Sequence, residues 1–206
     1  MVSDGSWKRV IDLTSDDFII FDNKYKFPTK KIDSYNDISS NDMAYLYGLL
    51  ISEGTLTNKY SIEITNTDED LMNDLMKRFK SLNPKLYSLE AYIDDRGWKC
   101  KKSYSFKIHN KEFRKFLASQ GLGYVKCYNK EIPNSILQCC RENVNHFLRG
   151  LFIGDGSVFT FKDRQSIRLG VAYYSVCEKL INQLHILLKS MGYISYKNKR
   201  TSSISD

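Results

Sequence analysis

The sequence has few prolines, few cysteines and no long apolar run. Only three prolines occur in 206 residues, which favours long, uninterrupted helices and strands. No apolar run reaches the roughly 18 residues that a membrane-spanning helix needs, and the amino terminus has no apolar stretch of the signal-peptide type. These absences argue against collagen-like, membrane-spanning and disulfide-framework proteins, and they predict a protein that is not secreted.

The five cysteines follow no metal-binding pattern. Their number is odd, none are spaced as Cys-x-x-Cys, and the three histidines do not complete a zinc-binding arrangement with them. We therefore expect free thiols in a reducing compartment, which means the cytoplasm, the nucleoid or the nucleus.

Positive charge is in moderate excess. There are 31 Lys and Arg against 24 Asp and Glu, a formal net charge of +7, and the apolar fraction of 42% is that of an ordinary globular protein. Two interpretations are open at this point. One is a soluble basic protein with no special partner, and the other is a protein that binds a polyanion such as nucleic acid.

The first 40 residues differ from the rest of the chain in their pattern of apolar and polar residues. Residues 8–13 and 18–21 have the apolar runs of short strands, and residues 25–40 are polar and basic, as in a linker. After them the order helix–strand–strand–helix–strand is predicted twice, about 100 residues apart, which indicates a pseudo-two-fold domain with halves at 41–128 and 129–206. The predicted strands lie at 59–65, 86–93, 98–108, 157–162, 167–174 and 193–196. One helix is predicted to begin at residue 41, and four more are predicted at 66–79, 111–119, 143–153 and 176–191.

Two nine-residue segments, 46–54 and 148–156, match each other. In both, apolar residues and one acid fall at i, i+3, i+4 and i+7, so the acid is expected on the packed face, at the carboxyl end of a helix. The acids are Glu53 and Asp155, which lie 102 positions apart (155 minus 53). A carboxylate there meets the negative end of the helix dipole. Unless both are ordinary helix-end acids, a divalent cation between them is the compensating charge we expect.

The glycines of the two segments fit the same arrangement. Gly48 and Gly150 remove side chains where two helices could approach closely. Gly54 and Gly156 are expected to adopt the left-handed turn that often ends a helix.

The two segments resemble the paired dodecapeptide motifs of the LAGLIDADG homing endonucleases, and the resemblance extends from residue 41 to the end of the sequence. It implies an α+β fold with two pseudo-symmetric αββαββα halves, the second truncated, which form a saddle over the DNA major groove. It also implies a monomer that hydrolyses phosphodiester bonds of double-stranded DNA at a long target site. Glu53 and Asp155 would bind the catalytic Mg²⁺ (or Mn²⁺).

Two other stretches resemble the intein-borne members of this family. Residues 121–133 are similar to the segment between the halves, in which a lysine two positions before Ile-Pro assists catalysis, and the matching residue is Lys130. Residues 1–24 resemble part of the β-rich Hint fold of protein splicing, which would act together with the remaining intein segments. The nucleophile, the Thr-x-x-His sequence and the His-Asn pair of that fold are absent from their expected places, so self-splicing is not expected.

The strands, rather than the motif helices, are predicted to contact DNA. Basic side chains on them would neutralise phosphates, although lysines on solvated edge strands that discourage aggregation are the alternative. The candidate DNA-binding residues are Lys59, Arg96, Lys99, Lys101, Lys102, Lys107, Lys162, Arg164, Arg168, Lys197, Lys199 and Arg200.

Functions without catalysis remain open from the sequence. A degenerate endonuclease or a maturase-like RNA splicing cofactor would bind nucleic acid without cutting it. A split-intein fragment would act through a second chain that supplies the missing Hint strands.

Overall fold

The computed structural model describes residues 8–17, 25–163 and 166–199. Residues 27–184 form one compact unit, and the described residues before and after this range belong to a second unit. Every helix and strand that positions the candidate site lies in the larger unit.

The described residues form six α-helices and eight β-strands. None of these helices is long and apolar enough to cross a membrane. The helices are α1 (Ser40–Ser52), α2 (Glu69–Arg78), α3 (Lys111–Ser119), α4 (Asn134–Leu137), α5 (Arg141–Asp155) and α6 (Glu178–Ser190). The strands are β1 (Gly54–Thr55), β2 (Ser61–Asn66), β3 (Lys85–Leu89), β4 (Tyr92–Ile93), β5 (Lys99–Cys100), β6 (Ser103–His109), β7 (Gly156–Asp163) and β8 (Ser166–Tyr173).

Polar side chains fix the starts of α2 and α3. The Asp68 carboxylate accepts a hydrogen bond from the Leu71 N–H (3.0 Å), and the Asn110 side chain accepts one from the Phe113 N–H (2.9 Å). These caps satisfy backbone donors that have no partner within the helix. Both helices therefore begin close to the positions that the sequence predicts.

The first half contains a four-stranded antiparallel sheet in the order β1-β2-β6-β3. Its inward face is apolar, because the register pairs Ile62 with Ile108 and Ile64 with Phe106, and all four side chains are buried. The two strands predicted on either side of the turn near residue 95 are each divided. Their inner ends form the short hairpin β4–β5, and their outer parts are β3 and β6.

The second half begins in the same order as the first. Helix α5, the antiparallel pair β7–β8 and helix α6 repeat the sequence of α1, β1, β2 and α2. The predicted α+β class, with two related halves, is confirmed. The strand predicted at 193–196 is wrong, because residues 193–199 contain neither helix nor strand.

The segment before α1 packs against the start of α5. Ile32 and Ile38 are buried. The Ile32 N–H donates to Asn143 Oδ1 (3.0 Å), and the Cys140 N–H donates to the Lys30 carbonyl (2.7 Å). The stretch predicted as a linker is therefore attached to the first turn of α5.

The strand predicted at residues 8–13 is wrong. Val10–Asp12 form a single 3₁₀ turn, and Arg9 pairs with Asp12 at 2.7 Å. A charge pair at this spacing favours a turn, since the two side chains meet only when the backbone curls. The strand predicted at 18–21 lies outside the described residues.

Candidate functional site

Helices α1 and α5 pack against each other through two glycines. A Cβ atom on Gly48 would lie 2.1 Å from the Phe147 carbonyl oxygen, and one on Gly150 would lie 2.1 Å from the Tyr45 carbonyl oxygen. Any other residue type at these positions would force the helices apart. The close approach predicted for these two glycines is therefore what the structure contains.

The two acids lie at the carboxyl ends of these helices. Glu53 directly follows α1, where its N–H caps the Leu49 carbonyl (2.8 Å), and Asp155 is the last residue of α5. Burial raises the pKa of Glu53, and the nearby charge of Asp155 raises it further. Partial burial also raises the pKa of Asp155. Glu53 is half-buried but Asp155 is exposed, so the packed position predicted for both acids holds for Glu53 alone.

Gly54 and Gly156 do not adopt the left-handed conformation predicted for them. Gly156 is extended, with φ −82° and ψ 152°, and Gly54 is not among the glycines with positive φ. The prediction of left-handed helix ends is therefore wrong. In each case a Cβ atom would collide with the preceding helical turn, at 2.6 Å from the Leu50 carbonyl oxygen and at 2.2 Å from that of Phe152. Glycine is required because the strand leaves the helix so abruptly.

Lys130 is buried against the end of α1. Its Nζ lies within hydrogen-bond distance of four backbone carbonyl oxygens, which belong to Leu50 (3.3 Å), Ile51 (2.8 Å), Ser52 (3.3 Å) and Gly54 (3.0 Å). Burial lowers the pKa of the Lys130 ammonium, and the charges of Asp155 and Glu53 oppose that shift. The ammonium therefore caps the helix end that carries Glu53.

Each acid also accepts a hydrogen bond from its own half. Asn66 Nδ2 donates to Glu53 Oε1 (3.1 Å), and the Tyr173 hydroxyl lies 3.4 Å from Asp155 Oδ2. Burial raises the pKa of the Tyr173 hydroxyl, and the charge of Asp155 adds to the effect. These two partners were not predicted, because the sequence does not show which side chains the strands bring to the helix ends.

The two carboxylates suit a hard divalent cation. Among the described residues, Glu53 Oε2 and Asp155 Oδ1 accept no hydrogen bond. Mg²⁺ is typically held by one or two carboxylates and retains several waters. The repulsion that raises the pKa of Glu53 would be relieved by such an ion. Within the described part of the chain no three His, Cys, Asp or Glu side chains form a metal-binding group.

The first-half candidates for DNA contact fall into two groups. Lys59, Lys99 and Lys101 are exposed beside or on strands. The others already have protein partners: Arg96 pairs with Asp94 (2.8 Å), Lys102 with Glu90 (3.2 Å) and Lys107 with Glu63 (3.0 Å).

One row of charges crosses the outward face of the first-half sheet. The register places Glu63 beside Lys107 and Lys107 beside Lys85. Like charges directly opposite each other on neighbouring strands are unfavourable, and Glu63 neutralises only one of the two. Lys85 was not predicted, although its alternation with the apolar Leu86 could have indicated an outward side chain.

The second-half candidates do not share one surface. The register pairs Lys162 with Ile167 and Phe161 with Arg168, so Lys162 and Arg168 lie on opposite faces of β7–β8. Lys197 and Lys199 are exposed and belong to the smaller unit. Arg164 and Arg200 lie outside the described residues.

Arg114 is a buried cation that the sequence does not reveal. Its guanidinium donates to the carbonyl oxygens of Leu56 (2.7 Å), Asn58 (3.0 Å), Leu122 (2.8 Å) and Gly123 (3.1 Å). Burial lowers its pKa. Two of the bonds tie α3 to the loop before β2, and the other two tie it to the segment that follows α3, so Arg114 supports the sheet on which Asn66 lies.

Two family models match the chain, one in each half. Residues 142–205 match a LAGLIDADG-like domain, and residues 42–96 match the WhiA LAGLIDADG-like domain. Each half of the chain is therefore similar to LAGLIDADG-like domains, as the two matching segments predict.

A solved structure and two curated proteins are similar to parts of the chain. The homing endonuclease I-WcaI bound to its DNA recognition sequence aligns with a TM-score of 0.51 and 14% identity, over 77% of this chain and 69% of that one, which shows a shared fold. The RNA polymerase subunit Rpo1C of Methanocaldococcus jannaschii is 29% identical over 77% of this chain and 17% of its own length. The replicative DNA helicase DnaB of Synechocystis sp. is 26% identical over 97% of this chain and 22% of its own length. The chain thus spans about a fifth of the length of the two curated proteins.

Proposed function

We propose that the chain is a site-specific endonuclease that hydrolyses double-stranded DNA and depends on Mg²⁺ (or Mn²⁺). The observation that carries the proposal is the junction of α1 and α5, where reciprocal glycine contacts bring Glu53 and Asp155 to neighbouring helix ends. Two neighbouring carboxylates with raised pKa values, in a protein of net charge +7, fit a divalent cation that would bind a phosphate group.

The residues around the acids have distinct positions in this proposal. Glu53 and Asp155 would hold the cation, and Asn66 and Tyr173 orient them through the hydrogen bonds already described. Lys130 neutralises the carbonyl end of α1 and limits the repulsion between the acids, which makes it a positioning residue rather than a group that reaches the phosphate. When bound, the metal would activate a water and stabilise charge on the phosphate.

The outward face of the first-half sheet is the proposed DNA surface. Lys85 and Lys107 face each other across β3 and β6, and their repulsion would be relieved by a phosphate between them. On β8, Arg168 lies on the face that also carries Phe161 and Ala172. Counting from the glycines that begin β1 and β7, Ala172 corresponds to Glu63, so this face, and not the one with Lys162, is the second-half counterpart. Cleavage across the minor groove to short 3′ overhangs follows from the family resemblance.

The test is cleavage of a plasmid in Mg²⁺ and in EDTA. The plasmid carries the host gene, which is the gene that would contain the endonuclease sequence, without that insertion. Wild-type protein is expected to linearise it in Mg²⁺, and Glu53→Gln and Asp155→Asn to bind the same DNA without cutting. Lys115→Gln, on the exposed side of α3, is the matched control and is expected to cut like wild type. Equal cutting by all four proteins would refute the metal-site assignment.

We propose further that this endonuclease is carried by an intein. Similar stretches make up about a fifth of an RNA polymerase subunit and of a replicative helicase, which are proteins of different kinds. That distribution is expected of an element inserted into host genes. Splicing of a reporter into which the chain and its flanking codons are inserted would test this, and an unspliced product would contradict it.

The second candidate is a nucleic-acid-binding module without catalysis. The match of residues 42–96 to the WhiA LAGLIDADG-like domain favours it. Binding of DNA with equal affinity in EDTA and in Mg²⁺, with no nicking by wild-type protein, would select this candidate over the endonuclease.

A further inference from the structure

Helix α6 of the second half contacts the segment that carries Lys130. Cys177, which directly precedes α6, donates from its buried thiol to the Lys130 carbonyl oxygen (3.0 Å). Two residues further along, the Ile132 N–H donates to Gln183 Oε1 in the second turn of α6 (2.8 Å). Residues 130–132 are therefore attached to the second half at two points.

The side chain of Lys130 extends from this attachment to the first half. Its Nζ lies 2.8 Å from the Ile51 carbonyl oxygen and 3.0 Å from that of Gly54, and the residue is buried. A buried charge is costly unless hydrogen bonds satisfy it, so the carbonyl oxygens at the end of α1 fix the position of Nζ. Lys130 thus joins two contacts, one in each half.

These contacts form a continuous connection between the halves. It runs from Cys177 through the backbone and side chain of Lys130 to the end of α1, which Glu53 directly follows. Glu53 therefore has one support in its own half, the hydrogen bond from Asn66 (3.1 Å), and a second that comes through Lys130 from the other half. A shift of the Lys130 carbonyl would move the ammonium that neutralises this helix end.

We propose that Cys177 is a positioning residue that fixes Lys130 and, through it, the carboxyl end of α1 at which Glu53 lies. The acid of the first half would then depend on a helix of the second, so the two carboxylates are correctly placed only when both halves are packed together. The consequence for metal binding rests on the proposed function, whereas the placement of the helix end does not.

The first test is hydrogen exchange in the last turn of α1, residues 49–53, measured by mass spectrometry on the full chain without metal. Cys177→Ala removes the donor to Lys130, and we expect exchange there to become about fivefold faster relative to the β6 amides, which report global unfolding. Cys177→Ser keeps a donor of similar size and is expected to exchange like wild type. Exchange that is unchanged in Cys177→Ala would overturn the proposal.

Cys139→Ala is the matched control. The Cys139 thiol is also buried and also donates to a backbone carbonyl oxygen, that of Ile136 (3.1 Å), but it lies between α4 and α5. Its loss should reduce stability without changing the relative exchange of residues 49–53. Equal acceleration by Cys139→Ala and Cys177→Ala would contradict the proposal, because the effect would then follow from the loss of any buried thiol.

The dependence on Lys130 is tested in a Lys130→Met background. If Cys177 acts through Lys130, the two substitutions are not additive, and Cys177→Ala should add little to the exchange of residues 49–53 once the ammonium is absent. The full acceleration in both backgrounds would show that Cys177 acts by another route and would overturn the proposal.

Mg²⁺ affinity, measured by calorimetry, gives the consequence for the proposed metal site. We expect Cys177→Ala to bind Mg²⁺ about threefold more weakly than wild type, which is less than the roughly tenfold or larger loss typical when a direct partner of a ligand is removed. Cys139→Ala should bind it like wild type. Unchanged affinity in Cys177→Ala would refute the connection to Glu53. Wild-type protein that binds no Mg²⁺ would refute the proposed function, and the exchange rates would still decide the role of Cys177.

Discussion

Gly48 of α1 and Gly150 of α5 occupy equivalent positions, and each lies against the backbone of the opposite helix. Gly48 lies beside Phe147, and Gly150 lies beside Tyr45. The contact is isologous, as in a symmetric dimer, although both helices belong to one chain. The spacing of Glu53 and Asp155 depends on it.

Substitution of either glycine by alanine is therefore expected to destabilise the protein. Neither helix can relax locally, because the new methyl group would meet a backbone atom rather than a flexible side chain. We expect Gly48→Ala or Gly150→Ala to lower the free energy of unfolding by about 3 kcal/mol, the upper part of the range for overpacked sites. Urea denaturation measures this. Gly123→Ala is the control, since a Cβ atom there would have no neighbour within 4 Å, and an equal loss in all three variants would contradict the prediction.

Lys130→Met is expected to weaken both the helix end and the acid pair. The four carbonyl oxygens at the end of α1 would lose their buried donor, at a cost of about 1–3 kcal/mol in the free energy of unfolding. Mg²⁺ affinity, measured by calorimetry, should also fall, because the positive charge that moderates the repulsion between the acids is removed. Lys126→Met changes an exposed lysine of the same segment and should alter neither quantity. Unchanged stability in Lys130→Met would show that water replaces the ammonium.

The two acids should reduce stability at neutral pH when no metal is present. Burial raises the pKa of Glu53 and partial burial that of Asp155, so the folded protein binds more protons than the unfolded chain above about pH 4. The free energy of unfolding contributed by these groups is therefore present at low pH and is lost as the pH rises through the raised pKa values. Glu53→Gln is expected to gain about 0.3–1 kcal/mol over wild type at pH 7.5.

The same variant provides its own control for this pH dependence. At pH 4 its advantage in urea denaturation should be smaller than at pH 7.5. A gain independent of pH would assign the effect to packing. Mg²⁺ should raise the melting temperature of wild type more than that of Glu53→Gln, since a ligand stabilises only the state that binds it.

Lys85 and Lys107 should contribute to DNA affinity in proportion to the phosphates that they neutralise. Lys85→Ala or Lys107→Ala is expected to weaken binding for all sequences and to reduce the slope of log affinity against log salt by about one. Fluorescence anisotropy at several salt concentrations measures both quantities. Lys115→Ala removes the same charge from the exposed side of α3 and should leave the slope unchanged. A salt slope that does not change in Lys85→Ala would remove this face from the DNA surface.

Arg114→Met is expected to lower the free energy of unfolding by about 3 kcal/mol. The substitution would leave four backbone carbonyl oxygens without their donor, two of them bonded to it at buried positions. Lys115→Met, one position further along α3, should have little effect. Thermal or urea unfolding distinguishes the two variants, and similar midpoints would mean that the carbonyls find other donors.

The sequence predicts the helix pair well because its periodicity and glycines act locally. Apolar spacing and caps place α1, α2, α3 and α5 near their observed ranges, and the in-register match of the two segments identifies Gly48 and Gly150. The sequence does not show why positions 54 and 156 require glycine. A side chain there would collide with the preceding helical turn because of the direction in which the strand leaves the helix, and that direction cannot be predicted from the sequence. The sequence shows that glycine is present, but it does not show which steric conflict glycine avoids.

The surroundings of the site are less predictable, since they depend on contacts between distant segments. Asn66, Tyr173 and Arg114 are ordinary residues in their own stretches. The paired strands bring Asn66 and Tyr173 to the acids, and the packing of α3 brings Arg114 to the loop carbonyls. The sequence alone also does not show that Lys162 and Arg168, both candidates for DNA contact, lie on opposite faces of β7–β8. A difference of one position in strand parity decides which face a side chain occupies.

The isologous contact between α1 and α5 also limits which residues can occupy the helix junction. The two segments are alike there, where each contact involves both halves. The strands differ, as the row of Glu63, Lys107 and Lys85 in one half and the exposed aliphatic side chains of β7 and β8 in the other show. If the chain binds DNA as proposed, its two halves would contact a target whose left and right sides are unrelated, which two identical subunits could not do.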